Sequence, residues 1–253
     1  IPTIWTVYIS LTNWKGIGSP EFCGFGNYQK MMVDDMFWES LGNTVVYWLS
    51  GLILIICCAL LIACLLNSRY LQKDSVRSFF KTATFLPNIC AAIAMGLIFR
   101  MLFDENVGLI NEVISMVGGS KIPWLTSTTY SKIPVIILNV WRYTPWFTMI
   151  LLSGLLNISK DYYEAATVDG ANAAQQFWFI TLPSLKNILF FCSVTLTVDM
   201  WKLFNESYIL PGPGTSNSSL FQYMYESGFN VFNMGYASAI GVVLILILMV
   251  ISI

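Results

Sequence analysis

The chain has 253 residues, of which 56% are apolar or aromatic and only 11% charged, with thirteen basic and fourteen acidic side chains and a net charge of −1. A soluble domain carries about 25% charge, so these side chains are too few to coat a water-facing surface, whereas a lipid-facing one needs none. No long basic block offers the clustered Lys and Arg that nucleic acid binding requires, and the complete absence of histidine removes the commonest general base and metal ligand.

A helix needs about 20 apolar residues to cross about 30 Å of hydrocarbon. Residues 1–11 read as the tail of one span, and 44–66 form the cleanest uncharged run. A short basic loop with Arg69, Lys73, Arg77 and Lys81 follows, then candidate spans at 82–99, 133–158, 188–210 and 236–253. The expected fold is an all-α membrane protein with about six transmembrane helices. It would be a single transmembrane domain over 1–253, its first and last helices truncated by the ends of the sequence. The opening stretch lacks the basic n-region and small-residue cleavage site of a signal peptide. No internal repeat is visible, which disfavours transporter folds built from related halves. Cys57, Cys58, Cys64, Cys90 and Cys192 lie in apolar runs and Cys23 in a polar loop. They show neither a disulfide framework nor a zinc spacing, and read as small core residues.

Basic residues are retained on the cytoplasmic side of a membrane. Six of the thirteen fall in two short stretches, 69–81 and 157–187, while five are spread over the longer 12–42, 100–132 and 211–231. This bias places 157–187 in the cytoplasm and the segments around Trp14, Trp124 and Pro211 outside.

Residues 157–187 read NISKDYYEAATVDGANAAQQFWFITLPSLKN, too long and too regular for a simple connector. A first helix carries Glu164, Ala165, Ala166 and Val168 behind a Ser159 N-cap. Asp169-Gly170 supplies a turn, a second helix runs over about 171–180, and Pro183 ends it at the return to the membrane. On residue chemistry alone, an amphipathic segment lying on the bilayer with Phe177, Trp178 and Phe179 as anchors is also open.

Glu164-Ala165-Ala166, three residues, Gly170, and then Ile180-Thr181-Leu182-Pro183 resemble the EAA motif of the permease subunits of bacterial ABC importers. That resemblance implies a loop that docks on a separate ATPase, with Glu164, Ala165, Ala166, Asp169, Gly170, Ile180, Leu182 and Pro183 as the coupling residues. The alanines permit close helix approach, Glu164 offers a charge-assisted contact, and Gly170 lets the chain change direction. No G-x-x-x-x-G-K-[ST] cradle exists in the chain, so no cofactor is expected on it, and ATP and Mg belong to the partner ATPase. Further implied partners are a second cytoplasmic ATPase, a second membrane permease subunit and an extracytoplasmic solute-binding protein, at the bacterial cell membrane.

A fainter resemblance narrows the group. Leu11-Thr12-Asn13-Trp14, Phe25-Gly26-Asn27-Tyr28 and Phe37-Trp38, with Tyr225-Glu226, Phe229 and Gly235-Tyr236-Ala237-Ser238-Ala239-Ile240, are similar to the carbohydrate-uptake permeases related to those for maltose and glycerol phosphate. Where that group has Gly-Gly-Pro and then Ser-Thr, this chain has Pro211-Gly212-Pro213-Gly214 and then Thr215-Ser216-Asn217. This stretch reads as a plain external turn or as a part in gating or in meeting the binding protein.

Ionisable groups inside a span cost a few kcal/mol and face a cavity or each other. Spacing puts Asp199, Lys202 and Glu206 on one helical face, where they would form a self-neutralising ladder; alternatively Asp199, Trp201, Lys202 and Asn205, with Arg142, line a polar sugar path. Glu206 reaching the external interface is a third option. The expected function is the membrane-spanning subunit of an ATP-driven, binding-protein-dependent importer for sugars or oligosaccharides, working by alternating access. Its rivals are an importer permease for another small polar solute, an ion-coupled transporter that leaves the 157–187 loop unexplained, and a membrane enzyme, against which the missing histidine counts.

Overall fold

A computed structural model describes residues 2–68 and 74–251, without the side chains of 74–78 and 81. Arg69 and Lys73 of the basic loop, and the side chains of Arg77 and Lys81, therefore lie outside the described residues. The chain forms α1 (Pro2–Ser10), α2 (Gly26–Met32), α3 (Asp35–Asn67), α4 (Asp74–Ile89), α5 (Ala92–Leu102), α6 (Leu109–Met116) and α7 (Lys132–Leu156). There follow α8 (Lys160–Val168), α9 (Ala173–Gln176), α10 (Leu182–Ser184), α11 (Lys186–Trp201), α12 (Asn205–Ile209), α13 (Leu220–Tyr225) and α14 (Met234–Ile251), with π-helical turns at Phe177–Thr181 and Glu226–Asn230. An isolated bridge between Thr12 and Phe22 is the only β pairing among the described residues.

Helices α3, α7 and α14 are each long and apolar enough to cross a membrane, and two bent helix pairs bring the count to five. Helix α1, at nine residues, spans about 14 Å and does not reach across alone. Two of the expected continuous spans are broken. The 82–99 run is interrupted between α4 and α5, where Ala91 takes an extended ψ of 128°. Pro87 sits in the last turn before the break, where it removes a backbone donor and crowds the carbonyl four residues earlier.

The 188–210 run stops at Trp201. The Lys202 and Leu203 amides close tight turns onto Asp199 and Met200 at 3.2 and 3.3 Å, and Phe204 leaves helical geometry at φ −135°, ψ −60°. Asp199, Lys202 and Glu206 consequently do not share one helical face, because the periodicity that would align them is interrupted between the first and the last.

The chain divides into two compact units, one of Ile1–Leu49, Ala91–Leu138 and Val198–Ile253, the other of Ser50–Cys90 and Asn139–Thr197. In the first, Met31, Phe37, Trp201, Leu220, Tyr236 and Ile240 share a buried core. Asn27 is buried there, its Nδ2 donating to the Ser10 and Thr12 carbonyls at 2.8 and 2.9 Å. Gly235 approaches the same strand of chain so closely that a Cβ would lie 2.0 Å from the Thr12 oxygen, and its amide donates to the Trp14 carbonyl at 3.0 Å. The scattered segments 11–14, 25–28 and 235–240 thus meet at one place.

The stretch after Pro211 is not an external turn. Pro211 and Gly214 are exposed, but Ser216, Asn217, Ser218 and Ser219 are buried. A buried loop needs partners for its backbone, and one stripe of α3 supplies them. Asn43 Nδ2 donates to the Thr215 and Ser218 carbonyls at 2.8 and 3.0 Å. Tyr47 donates to the Asn217 carbonyl at 2.7 Å, Thr44 Oγ1 accepts from the Leu220 amide at 2.8 Å, and Glu39 accepts from the Thr215 hydroxyl.

In the second unit the α3 face Ile55, Ala59, Ala63 is fully buried, as are Leu151, Leu185 and Leu196. Helix α11 crosses α7 at Gly154, where a Cβ would stand 2.4 Å from Ile188 Cδ1 and 2.8 Å from Leu185 Cδ2. Of the cysteines expected in the core, only Cys192 is buried, while Cys57 faces outward on α3. A lipid-facing helix surface accepts such apolar side chains.

Candidate functional site

The 157–187 loop is a compact helical hairpin. Ser159, extended at ψ 136°, caps α8 by accepting from the Asp161 amide at 3.3 Å, and Asp161 places a negative charge at the positive helix end. At the other end the Ala171 amide reaches the Ala166 carbonyl at 2.8 Å and the Gly170 amide reaches Thr167 at 3.1 Å. This pair of bonds requires a left-handed residue between them, and Gly170 provides it at φ +78°. No atom lies within 4 Å of a Cβ built there, so glycine is demanded by the torsion and not by crowding.

The second arm begins at Asn172, whose side chain accepts from the Gln175 amide at 2.9 Å while Gln175 Oε1 accepts from the Asn172 amide at 2.8 Å. This reciprocal cap starts the helix at Ala173, slightly later than the sequence suggests. Pro183 does not end it. The π-helical turn lets the Leu182 amide bond the Phe177 carbonyl five residues back, and the widened turn admits a proline that lacks a donor. The run continues to Ser184 and bends by 66° into α11.

Side chains that sequence reasoning passed over pin the two arms together. The Tyr163 and Thr181 hydroxyls lie 2.9 Å apart. Gln176 Nε2 donates to Thr167 Oγ1 at 3.0 Å, and that hydroxyl donates to the Tyr163 carbonyl at 2.7 Å. Tyr163 and Thr167 stand four apart on one face of α8, a spacing that identifies the inward side of the helix.

Helix α8 buries none of its residues. Glu164, Ala165, Asp169, Gly170 and Pro183 are exposed, and Ala166, Ile180 and Leu182 half-buried. Val168 and Phe179 are 88% and 78% exposed, with Tyr162 and Trp178 also largely open. The capped hairpin therefore leaves an apolar surface uncovered by its own chain, with Glu164 and Asp169 exposed near it.

The expected pathway residues fall in both units. Arg142 is half-buried in the second unit, its guanidinium 5.4 Å from the Tyr143 ring centre. In the first unit Asp199 is half-buried, and Trp201, 3% exposed, sits 6.1 Å from the Trp48 ring. Its buried indole N–H has no hydrogen-bond partner. Lys202 and Asn205 are exposed. Glu206, which the sequence left free to reach the outer interface, is 2% exposed, because the break after Trp201 turns α12 back into the core. Among the described residues no group of three or more Cys, Asp or Glu side chains is placed to hold a metal.

Residues 51–253 match the family of binding-protein-dependent transport system inner membrane components. The chain belongs to that family. The permease is 32% identical to the arabinooligosaccharides transport system permease protein AraP of Halalkalibacterium halodurans, over 92% of this chain and 73% of that protein. It is 31% identical to the lactose transport system permease protein LacF of Rhizobium radiobacter, over 99% and 85%. A solved bacterial ABC transporter involved in the import of the acidic polysaccharide alginate contains a chain that superposes with a TM-score of 0.84 at 21% identity, over 100% of the permease and 90% of that chain. The permease therefore has the fold of an ABC importer's membrane subunit as well as its sequence signature.

Proposed function

We propose that this permease is the membrane subunit of an ATP-driven, binding-protein-dependent importer of sugars or oligosaccharides in the bacterial cell membrane. The observation that carries the reading is the 157–187 hairpin: capped at each start, turned by Gly170, pinned by Tyr163 and Thr181, and left uncovered by its own chain. Such a part transmits motion as a rigid body. Two ATPase chains, holding ATP and Mg, seat it from the cytoplasm. Their closure on ATP moves the hairpin, and the bundle of this subunit with a second permease subunit switches from inward to outward access. A binding protein then delivers its cargo from outside. Relatives named for arabinooligosaccharides and lactose support a saccharide cargo.

The test is made on the complete transporter in proteoliposomes. Gly170→Val and Glu164→Lys are expected to leave the subunit in the membrane while uptake falls at least about tenfold relative to ATP hydrolysis, since each disturbs the docking hairpin alone. Normal uptake in both variants removes the assignment. Cargo class is read from thermal shift of the binding protein encoded beside the permease: stabilisation by a saccharide supports the reading, and stabilisation only by amino acids or metal ions refutes it.

A further inference from the structure

Four aromatic rings in the first unit are used neither by the hairpin nor by the buried core at Trp201. Phe204 and Tyr208 stack at 5.1 Å and 20°, Phe204 meets Tyr225 at 4.9 Å, and Tyr225 meets Phe229 at 4.9 Å. The end members keep open faces, Tyr208 being 47% and Phe229 57% exposed. A cavity of about 320 Å³ opens beside them, lined by Phe221, Tyr225, Phe229 and the small residues Gly228 and Gly241.

The backbone under the rings is unusual in two ways. Tyr225 immediately precedes the π-helical turn Glu226–Asn230, Phe229 lies within it, and Phe232 just beyond it has φ +55°. A left-handed conformation costs a bulky residue about 1–2 kcal/mol, and strain and π turns of this kind gather at functional sites. Polar residues neighbour the rings along the chain: Lys202 and Asn205 near Phe204 and Asn230 next to Phe229 are exposed, and Glu226, next to Tyr225, accepts from Gln222 Nε2 at 2.9 Å.

We infer that this cluster is a saccharide-stacking subsite. A sugar ring presents a face of C–H bonds, which packs on an aromatic ring, and an edge of hydroxyls that both donate and accept. Stacked rings with open faces supply the first feature, and the polar side chains near them in the chain, Lys202, Asn205, Asn230 and Glu226, are the candidates for the second. An aromatic belt at the bilayer interface is the ordinary reason for exposed tyrosines, but a belt calls for no mutual stacking of four rings and no strained backbone beneath them, both of which are present here. The subsite follows the end of α11 and gives the cargo a resting place distinct from the buried Trp201 region. This inference rests on the sugar reading above.

The experiment uses the intact transporter, with arabinotriose and lactose as probes. Saturation-transfer difference NMR on the complex without its binding protein is expected to show transfer to sugar C–H protons. Tyr208→Ala and Phe229→Ala should reduce that transfer and raise the KM for uptake about two- to tenfold with kcat held, while Tyr208→Phe and Phe229→Tyr retain both. If a probe stimulates ATP hydrolysis through the binding protein but the alanine variants keep transfer and KM, the subsite is refuted and the sugar reading stands. If the alanine variants only lower the amount of complex recovered from the bilayer, with KM unchanged in what remains, the rings are interface anchors and the inference is overturned. If neither probe stimulates the complex while a non-saccharide does, both readings fall together.

Discussion

Gly170 acts through the sign of one torsion. Because nothing surrounds its missing side chain, substitutions there should rank by tolerance of positive φ and not by size: Asn mildest, Ala worse by about 1 kcal/mol, Val worst. Transport per ATP hydrolysed, measured across the series, should follow that order; a ranking by volume would mean that crowding, not torsion, governs the site. A second residue argues from charge. Asp34 is partly buried, which pulls its carboxyl up, but the Tyr223 phenol at 2.6 Å, the Tyr236 phenol and the Phe37 and Met36 amides outweigh this and hold it below its ordinary value of 3.8. A depressed carboxyl stabilises the fold above the unfolded value and loses that contribution as pH falls through the folded one. Asp34→Asn should therefore lower the midpoint of thermal unfolding at pH 7, by the equivalent of about 1 kcal/mol. The gap between variant and parent should narrow below about pH 4, and a gap independent of pH would show that charge is irrelevant at this position.

Elements are where sequence and structure part most clearly. The Ser159 cap, the Gly170 turn and the reciprocal Asn172–Gln175 cap are local patterns, written within a few residues and hence readable. The continuation of the helix through Pro183 is not, because it needs a π turn that removes the proline's missing donor from the register, and no residue pattern in 177–181 signals a five-residue hydrogen bond. Likewise a hydrophobic window cannot show that α11 stops at Trp201, since Leu203 and Leu210 are as buried as the residues before the break. Two measurements belong to this scale. Tyr163→Phe and Thr181→Val each remove one side of the 2.9 Å pin and should speed hydrogen exchange of the α8 amides to the same degree. The double variant should do no more than either, and strict additivity would mean that the two hydroxyls are not partners. Where α7 meets α11, Gly154→Val should overpack against Ile188 and cost about 1–3 kcal/mol. Gly154→Ala should cost less, because the nearest atom is the mobile end of an isoleucine; equal losses would show that the helices cannot part even slightly.

For the whole molecule, composition was enough to identify a membrane bundle, and one motif marked the segment that folds as a helical hairpin. Long-range polar pairing was hidden. The burial of 216–219 depends on Asn43, Thr44 and Tyr47, more than 165 residues earlier, and no local pattern announces such a debt. Asn43→Leu should strand two loop carbonyls and lower thermal stability by about 1–3 kcal/mol per lost group, more than a lipid-facing Leu61→Ala measured in the same detergent. Parity between them would mean that the loop finds other partners. The weak similarity of 11–14, 25–28 and 235–240 to sugar permeases gains physical sense from their meeting around Asn27 and Gly235: three short segments are constrained together because they form one junction.

The open apolar face of α8 and its neighbour Phe179 has a further consequence for the cell. Val168, Trp178 and Phe179 are exposed, and if the hairpin docks on an ATPase as proposed, a subunit made without that partner would display them to the chaperones and proteases that survey such surfaces. On the proposed function, the patch that would receive the ATPase would also label an orphan subunit for removal, and the supply of ATPase would set how much permease survives. Expressed alone, the chain should be nicked first within 157–187, and co-expression of the ATPase should protect that segment before any other.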